Sequence, residues 1–340
     1  MLKKYLDARL IIKVMSYTVT RESFNNLTSC WRDANNRLRW GSIFVLPPWL
    51  KAWWQQFGVD AELFLSAVRK GEEVIGVAPL MVRGNQASFI GSEDVCDYLD
   101  FVVSPGSEDD FFNFILDDLI KNGINNLDLK LVRHDSTVLG NLAGIAQRRG
   151  YQVSCSHEDV SLELDLPTTW EAYLEMLNAK QRHEVRRKLR RLGEMGEVDY
   201  HVIRGAGAVN DAMDDFLRMF SESREDKFAF LTAPIESFFR SVVNAMGQAG
   251  LLRMGILKLG DLPTAMVMCF DYNSCLYLYN SGYDRQYNYL SAGLLSKVLC
   301  LKNSLEEGRK SFNFLKGDEP YKYRLGGREV PLSRCQITIE

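Results

Sequence analysis

Histidine is scarce: only four occur in 340 residues, none in an HExxH or comparable cluster, so no zinc site is expected and metal catalysis drops out. The seven cysteines, Cys30, Cys96, Cys155, Cys269, Cys275, Cys300 and Cys335, are scattered, odd in number and never in a CxxC pair, which reads as reduced thiols in a cytoplasmic protein. Long apolar runs are missing as well. No stretch approaches the ~18 residues of a membrane helix, and residues 10–14 are too short and interrupted for a signal segment. A large excess of either charge is also absent. A net charge of -3 argues against holding nucleic acid through the overall field and excludes DNA as an expected partner. No GxSxG elbow frames a serine nucleophile.

What is present fits a folded α/β protein of two domains, with 46% hydrophobic and 25% charged residues. Residues 1–14 are expected to be a leader before Met15, which resembles a start. The chain then repeats itself. A strand, a tight turn at Gly71 and a second strand in the first half recur around Gly260, 189 residues on. A strand ending at Gly91 recurs at Gly282, 191 residues on. Helical segments over residues 110–121 and 294–307 close at Gly123 and Gly308, 185 residues apart, and each is followed by a short apolar strand. The shared order is β-β-β-α-β. The expected architecture is mixed α/β, with halves at 15–162 and 163–340 joined at the alternating strand that ends at Pro167.

Five stretches carry a family likeness: Phe44-Val45-Leu46-Pro47-Pro48-Trp49-Leu50-Lys51-Ala52-Trp53-Trp54, Gly76-Val77-Ala78-Pro79-Leu80-Met81, Asp97-Tyr98-Leu99-Asp100-Phe101, Lys180-Gln181-Arg182-His183-Glu184-Val185-Arg186-Arg187 and Gly317-Asp318-Glu319-Pro320-Tyr321-Lys322. Together they resemble the CelD-like (BioF-like) acetyltransferases of the GNAT superfamily. The resemblance implies two tandem GNAT-like (acyl-CoA N-acyltransferase) halves in a FemABX-like arrangement. It also implies an acyl donor in the C-terminal half, an acceptor in a cleft between halves, and a link to polysaccharide or cell-envelope synthesis. One departure stands out. The GNAT donor loop reads Gln/Arg-x-x-Gly-x-Gly/Ala, whereas Arg285-Gln286-Tyr287-Asn288-Tyr289-Leu290-Ser291-Ala292-Gly293 lacks its glycines.

The residues supply their own chemistry. Ser291 is placed to cap a helix that opens with Ala292 and Gly293; its free N–H groups and positive dipole end suit a pyrophosphate, with Arg285 adding a charge-assisted contact. The turn at residues 317–322 lies beyond a strand end, where polar working groups collect. Acyl transfer needs a base for the acceptor proton, here Asp318 or Glu319, and an acid for the departing thiolate, here Tyr283 or Tyr321. Lys322 is a candidate to hold phosphate or pair with a carboxylate. In the first half, Asp97, Tyr98 and Asp100 suit a sugar or amine acceptor, while the spacing of Trp49, Trp53 and Trp54 matches a helix burying one face. A single amphipathic helix is expected from Thr168 to about Leu192, exposing Arg182, Arg186 and Arg190 along one side to an anionic ligand: a phosphorylated acceptor, an anionic membrane surface or tRNA. These features point to an acyl-CoA-dependent N- or O-acyltransferase acting on a sugar, polysaccharide or envelope precursor. Aminoacyl-tRNA as donor and a non-catalytic binding protein for anionic lipid or polysaccharide are the alternatives.

Overall fold

A computed structural model describes residues 16–339. The expected leader at 1–14 lies outside that range. The first half runs β1 (Tyr17–Arg21), α1 (Phe24–Arg32), α2 (Pro47–Phe57), β2 (Glu62–Lys70), β3 (Glu73–Arg83), β4 (Gln86–Phe89), β5 (Val102–Val103), α3 (Glu108–Lys121), β6 (Asn126–Arg133), α4 (Ala143–Arg148) and β7 (Gln152–Asp165). After two linking helices, α5 (Trp170–Met176) and α6 (Ala179–Gly193), the pattern restarts. It continues with β8 (Val198–Arg204), α7 (Ala206–Ser223), α8 (Glu225–Phe230), α9 (Ala233–Gln248), β9 (Leu252–Leu259), β10 (Leu262–Tyr272), β11 (Cys275–Tyr283), α10 (Ala292–Glu306), β12 (Ser311–Lys316), α11 (Pro320–Arg324) and β13 (Arg328–Thr338). The fold is mixed α/β, built from two halves that repeat one order of elements, as expected.

Local chemistry explains the repeated elements. Gly71 and Gly260, at φ 61° and 57°, make the hairpin turns that need a left-handed residue. Beyond each hairpin a helix carries the chain across to a parallel neighbour, pairing β4 with β6 and β11 with β12. From one edge the sheet reads β1-β2-β3-β4-β6-β13, and from the other β8-β9-β10-β11-β12-β7. The two sequences of strands match position by position, except that the last strand of each half sits in the other half. β7 leaves the first half to pair with β12, β13 returns to pair with β6, and the two run antiparallel to each other at the centre of one continuous sheet.

Two cores lie on the faces of this sheet. Leu332, Cys335 and Ile337 of β13 are buried in the larger core, which takes in the first half together with α7 and α9 of the second, whereas Leu162 and Leu164 of β7 are buried in the core under α5 and α10. Trp49 and Trp53 are core residues as their spacing predicts, and Trp49 meets Phe238, Phe270 and Tyr279 of the second half edge to face, at ring-centroid distances of 5.7, 5.5 and 5.2 Å.

Two expectations need correction. The helix anticipated from Thr168 to Leu192 is two helices, because Leu177 and Asn178 are extended and the Asn178 side chain caps the second by accepting from the Gln181 N–H. Reduced thiols are found at five of the cysteines, but Cys155 and Cys335 form a disulfide, since the β7/β13 register sets them directly opposite.

The strand exchange makes a testable claim. Leu332→Ala, near the end of the sequence, should cost about 2–5 kcal/mol as a core truncation. Hydrogen exchange should show protection lost in β6 more than in β9. Loss confined to the second half would contradict the exchange.

Candidate functional site

The β11/β12 ladder is short. It pairs Cys275–Tyr277 with Ser311–Asn313, and beyond that both strands continue without pairing each other. β12 turns away at a bulge between Asn313 and Leu315, where Leu315 takes a left-handed φ of 65°, a conformation costly for a branched side chain. The wedge so opened holds a cavity of about 840 Å³. Strand ends, the start of α10, the turn after β12 and the first-half loop carrying Asp97 all reach it.

At the helix side, Ser291 occupies the cap position of α10 but in a left-handed conformation (φ 60°), so its hydroxyl makes no capping bond and instead accepts from Lys188 of α6. The position anticipated for Ser291 is right and the bond is not. Gly293 lies under the ring of Tyr283, where a Cβ would come within 2.5 Å of a ring carbon. The first turn of α10 has no acidic residue, whereas the matching helix α3 opens with Glu108, Asp109 and Asp110. An anion is therefore favoured at one helix start and repelled at the other. The matching wedge of the first half is also bridged by its own loop, through the Leu99 N–H donating to the Leu131 carbonyl at 3.0 Å.

At the turn side, Lys322 is 2% exposed and its ammonium faces the carbonyls of Leu315, Lys316 and Gly317, at 3.0 Å from the first and 3.1 Å from the last. Glu319 Oε2 stands 2.7 Å from the same ammonium, at an angle that makes an ion pair without a directed hydrogen bond, and has no other donor. Lys322 is thus a clamp on the bulged strand end with no donor left for phosphate. Tyr283, Glu319 and Tyr321 line the cavity; burial raises the Tyr321 hydroxyl well above its usual range. Asp318 does not line it: the turn points its side chain to solvent.

Asp97 enters the same cavity from the first half, and burial lifts its carboxyl to about 6, opposed by Lys316 and Lys322 and reinforced by Glu319. Its two companions lie elsewhere. The Tyr98 hydroxyl accepts from the Asn313 amide, and Asp100 accepts from the Thr137 N–H at 2.9 Å and hydroxyl at 2.7 Å, so both line a separate 300 Å³ pocket at the seam of the halves. Arg285 is exposed without lining the cavity, and the Ala292 side chain is in the core. Arg182 is half-buried and Arg186 exposed on α6, outside the cavity. Among the cavity residues that escape a reading of the sequence are Lys227 and Lys297. Lys297 had a signal: it is a lysine amid Leu295, Ser296, Val298 and Cys300, on a helix buried nearly all round.

Residues 179–323 match the acetyltransferase (GNAT) domain family. That stretch carries α6, α10, the splayed strands and the turn, so the chain is an acyltransferase of GNAT type in its second half. Among solved structures it resembles FemX over 94% of this chain and 96% of that one, with a TM-score of 0.62 and 12% identity. A conserved protein of unknown function from Bacteroides thetaiotaomicron aligns over 95% of this chain and 100% of that one, with a TM-score of 0.59 and 12% identity. The C-terminal domain of a putative lysylphosphatidylglycerol synthetase from Agrobacterium fabrum aligns over 85% and 86%, with a TM-score of 0.53 and 12% identity. These likenesses show the fold. No curated protein matches the chain significantly in sequence. Among the described residues no helix is long and apolar enough to cross a membrane, and no group of histidine, cysteine and carboxylate side chains could hold a metal.

Gly293→Ala should push the Tyr283 ring aside. The expected result is a stability loss of about 1–3 kcal/mol from overpacking and a larger fall in turnover than in donor binding. Unchanged turnover would mean that Tyr283 is not held in a working position.

Proposed function

We propose that the chain transfers an acyl group from a thioester donor at the start of α10 to an amine or hydroxyl presented from the Asp97 side of the cavity. The observation that carries this reading is the wedge between β11 and β12, where one cavity gathers an acid-free helix start, Tyr283, Glu319 and a first-half carboxylate. The donor is acyl-CoA, its phosphates meeting the uncapped N-terminus of α10. The acceptor is a sugar, polysaccharide or envelope precursor, handled in the cytoplasm; this finer assignment follows the CelD-like resemblance.

The acceptor nitrogen or oxygen attacks the thioester carbonyl carbon, forming the new amide or ester bond, while the carbon–sulfur bond breaks. Asp97 receives the acceptor proton. With a carboxyl near 6 it is ionised at neutral pH yet basic enough to take a proton, and among the described residues it has no ion-pair partner, unlike Glu319. Tyr283 returns a proton to the departing thiolate. The free carboxylate oxygen of Glu319 accepts a hydrogen bond from the acceptor and orients it.

Aminoacyl-tRNA is the second reading of the donor. It is favoured by the missing donor-loop glycines and by the basic helix α6, whose Lys188 touches Ser291 at the donor side. Thermal shift separates the donors, because a ligand at 100 times its Kd adds roughly 2.7 kcal/mol of stability. Acetyl-CoA or a longer acyl-CoA should stabilise the protein; stabilisation by aminoacyl-tRNA alone would favour the second reading, and binding without turnover would favour a non-catalytic protein. For catalysis, kcat/KM should rise with pH through about 6 as Asp97 loses its proton. Asp97→Asn should remove that limb and lower turnover by about 10²–10⁴. Asp318→Asn should leave both unchanged. Survival of the limb and of turnover in Asp97→Asn would transfer the base role to another group.

A further inference from the structure

Lys227 and Lys297 are cations without counter-ions. Lys297 is 8% exposed, on the second turn of α10; its ammonium donates to the Gly293 carbonyl at 2.7 Å and lies 5.1 Å over the ring of Tyr321. Lys227, on α8, donates to the Ser281 carbonyl at 2.5 Å and lies 4.7 Å over Phe220. Each ammonium has three N–H donors, of which the protein engages one. Neither has a carboxylate in ion-pair range among the described residues. The nearby carboxylates are engaged otherwise, Glu319 with Lys322 and Asp226 with Arg224. Taking a charge out of water without a partner is costly, so an arrangement with two such groups on one cavity has an open place for an anion.

We infer that the substrate carries an anionic group, a carboxylate or phosphate apart from the donor's own phosphates, which is recognised jointly by Lys227 and Lys297. This deepens the acyl-transfer reading by naming a substrate class, and rests on it for the cavity's role. The source is either the acyl group, as in a dicarboxylic acyl donor, or the acceptor. Titration supports the geometry. Burial lowers Lys297 to about 7, with Lys227 adding repulsion and Glu319 and the Cys300 and Cys269 thiols opposing it. Burial likewise lowers Lys227 to about 8, with repulsion from Arg224, against Asp226 and Glu319. An arriving anion would restore both protons, so binding should be strong at pH 6, where both amines are charged, and weaken as pH rises through 7 to 8.

The probe is succinate, with its neutral diamide as control, titrated by calorimetry into the full-length protein saturated with CoA at pH 6, 7.5 and 9. Succinate should bind at least about tenfold tighter at pH 6 than at pH 9, and Lys227→Met or Lys297→Met should each weaken it about tenfold at pH 6, the loss of one charge-assisted contact. Lys297→Arg should keep binding and flatten its pH dependence, since guanidinium stays charged; with the wild-type pH series it gives a result even where a Met variant does not fold. If the seat serves the acyl group, succinyl-CoA should bind about tenfold tighter than acetyl-CoA, a margin lost in Lys297→Met. Should it serve the acceptor, the two thioesters bind alike and succinate still binds beside CoA. The inference is overturned if the thioesters bind alike and succinate also fails to bind, or binds equally to the double Lys227→Met/Lys297→Met protein. Succinate binding without CoA binding would instead overturn the donor reading and leave this one standing.

Discussion

The cavity exists because one buried ammonium holds a strand end that would not otherwise keep its shape. β12 must break from its parallel partner to open the wedge, and it does so through Leu315 in a left-handed conformation, of order 1–3 kcal/mol above an ordinary strand residue. The bulge leaves the carbonyls of Leu315, Lys316 and Gly317 turned toward one point. Lys322 supplies the positive charge there, and Glu319 sits against the same ammonium. A side chain within the turn thereby fixes the geometry of the strand before it and holds the carboxylate at the cavity. The first half shows the same strain met differently: Leu131 is also left-handed, and its N–H donates to the Glu158 carboxylate at 3.0 Å.

The halves are alike in backbone and unlike in electrostatics. The second half keeps its wedge open, with small residues and no acid at the helix start. In the first, a loop bonded to Leu131 crosses the wedge and three acids stand at the start of α3. The crossing loop nonetheless has a role, because it delivers Asp97 to the cavity of the other half. The cavity is therefore lined mainly by the second half, with a carboxylate contributed by the first.

Much of this was legible from local rules. Left-handed glycines at the hairpins, helix lengths between parallel strands and the Gly–Pro turn after β12 are written in a few adjacent residues, and they brought Tyr283, Ser291, Gly293, Glu319, Tyr321 and Lys322 to one place. For the strand exchange and the disulfide, the deciding contact is distant in sequence. Nothing near β13 tells it to lie between β6 and β7, so the facing of Cys155 and Cys335 was invisible. The side-chain direction within a turn separates Glu319 from Asp318, and neither composition nor spacing specifies it. Lys227 looks like an ordinary helix-surface lysine until α8 is folded against the strands, whereas Lys297 stands out only by its apolar neighbours on α10. Asn178 carried a readable capping signal that the continuous basic run obscured.

The exchange of end strands also bears on how the molecule is made. A chain emerging from the ribosome can pair β1 to β4 and β6 early, but the strand that belongs beside β6, Arg328–Thr338, is synthesised only after the other strands of the second half. Until then the first half presents the unpaired edge of β6, a surface prone to unwanted pairing with other chains. Completion of the first half therefore waits until β13 has been made, and a chain stalled or clipped before Arg328 leaves both halves unfinished.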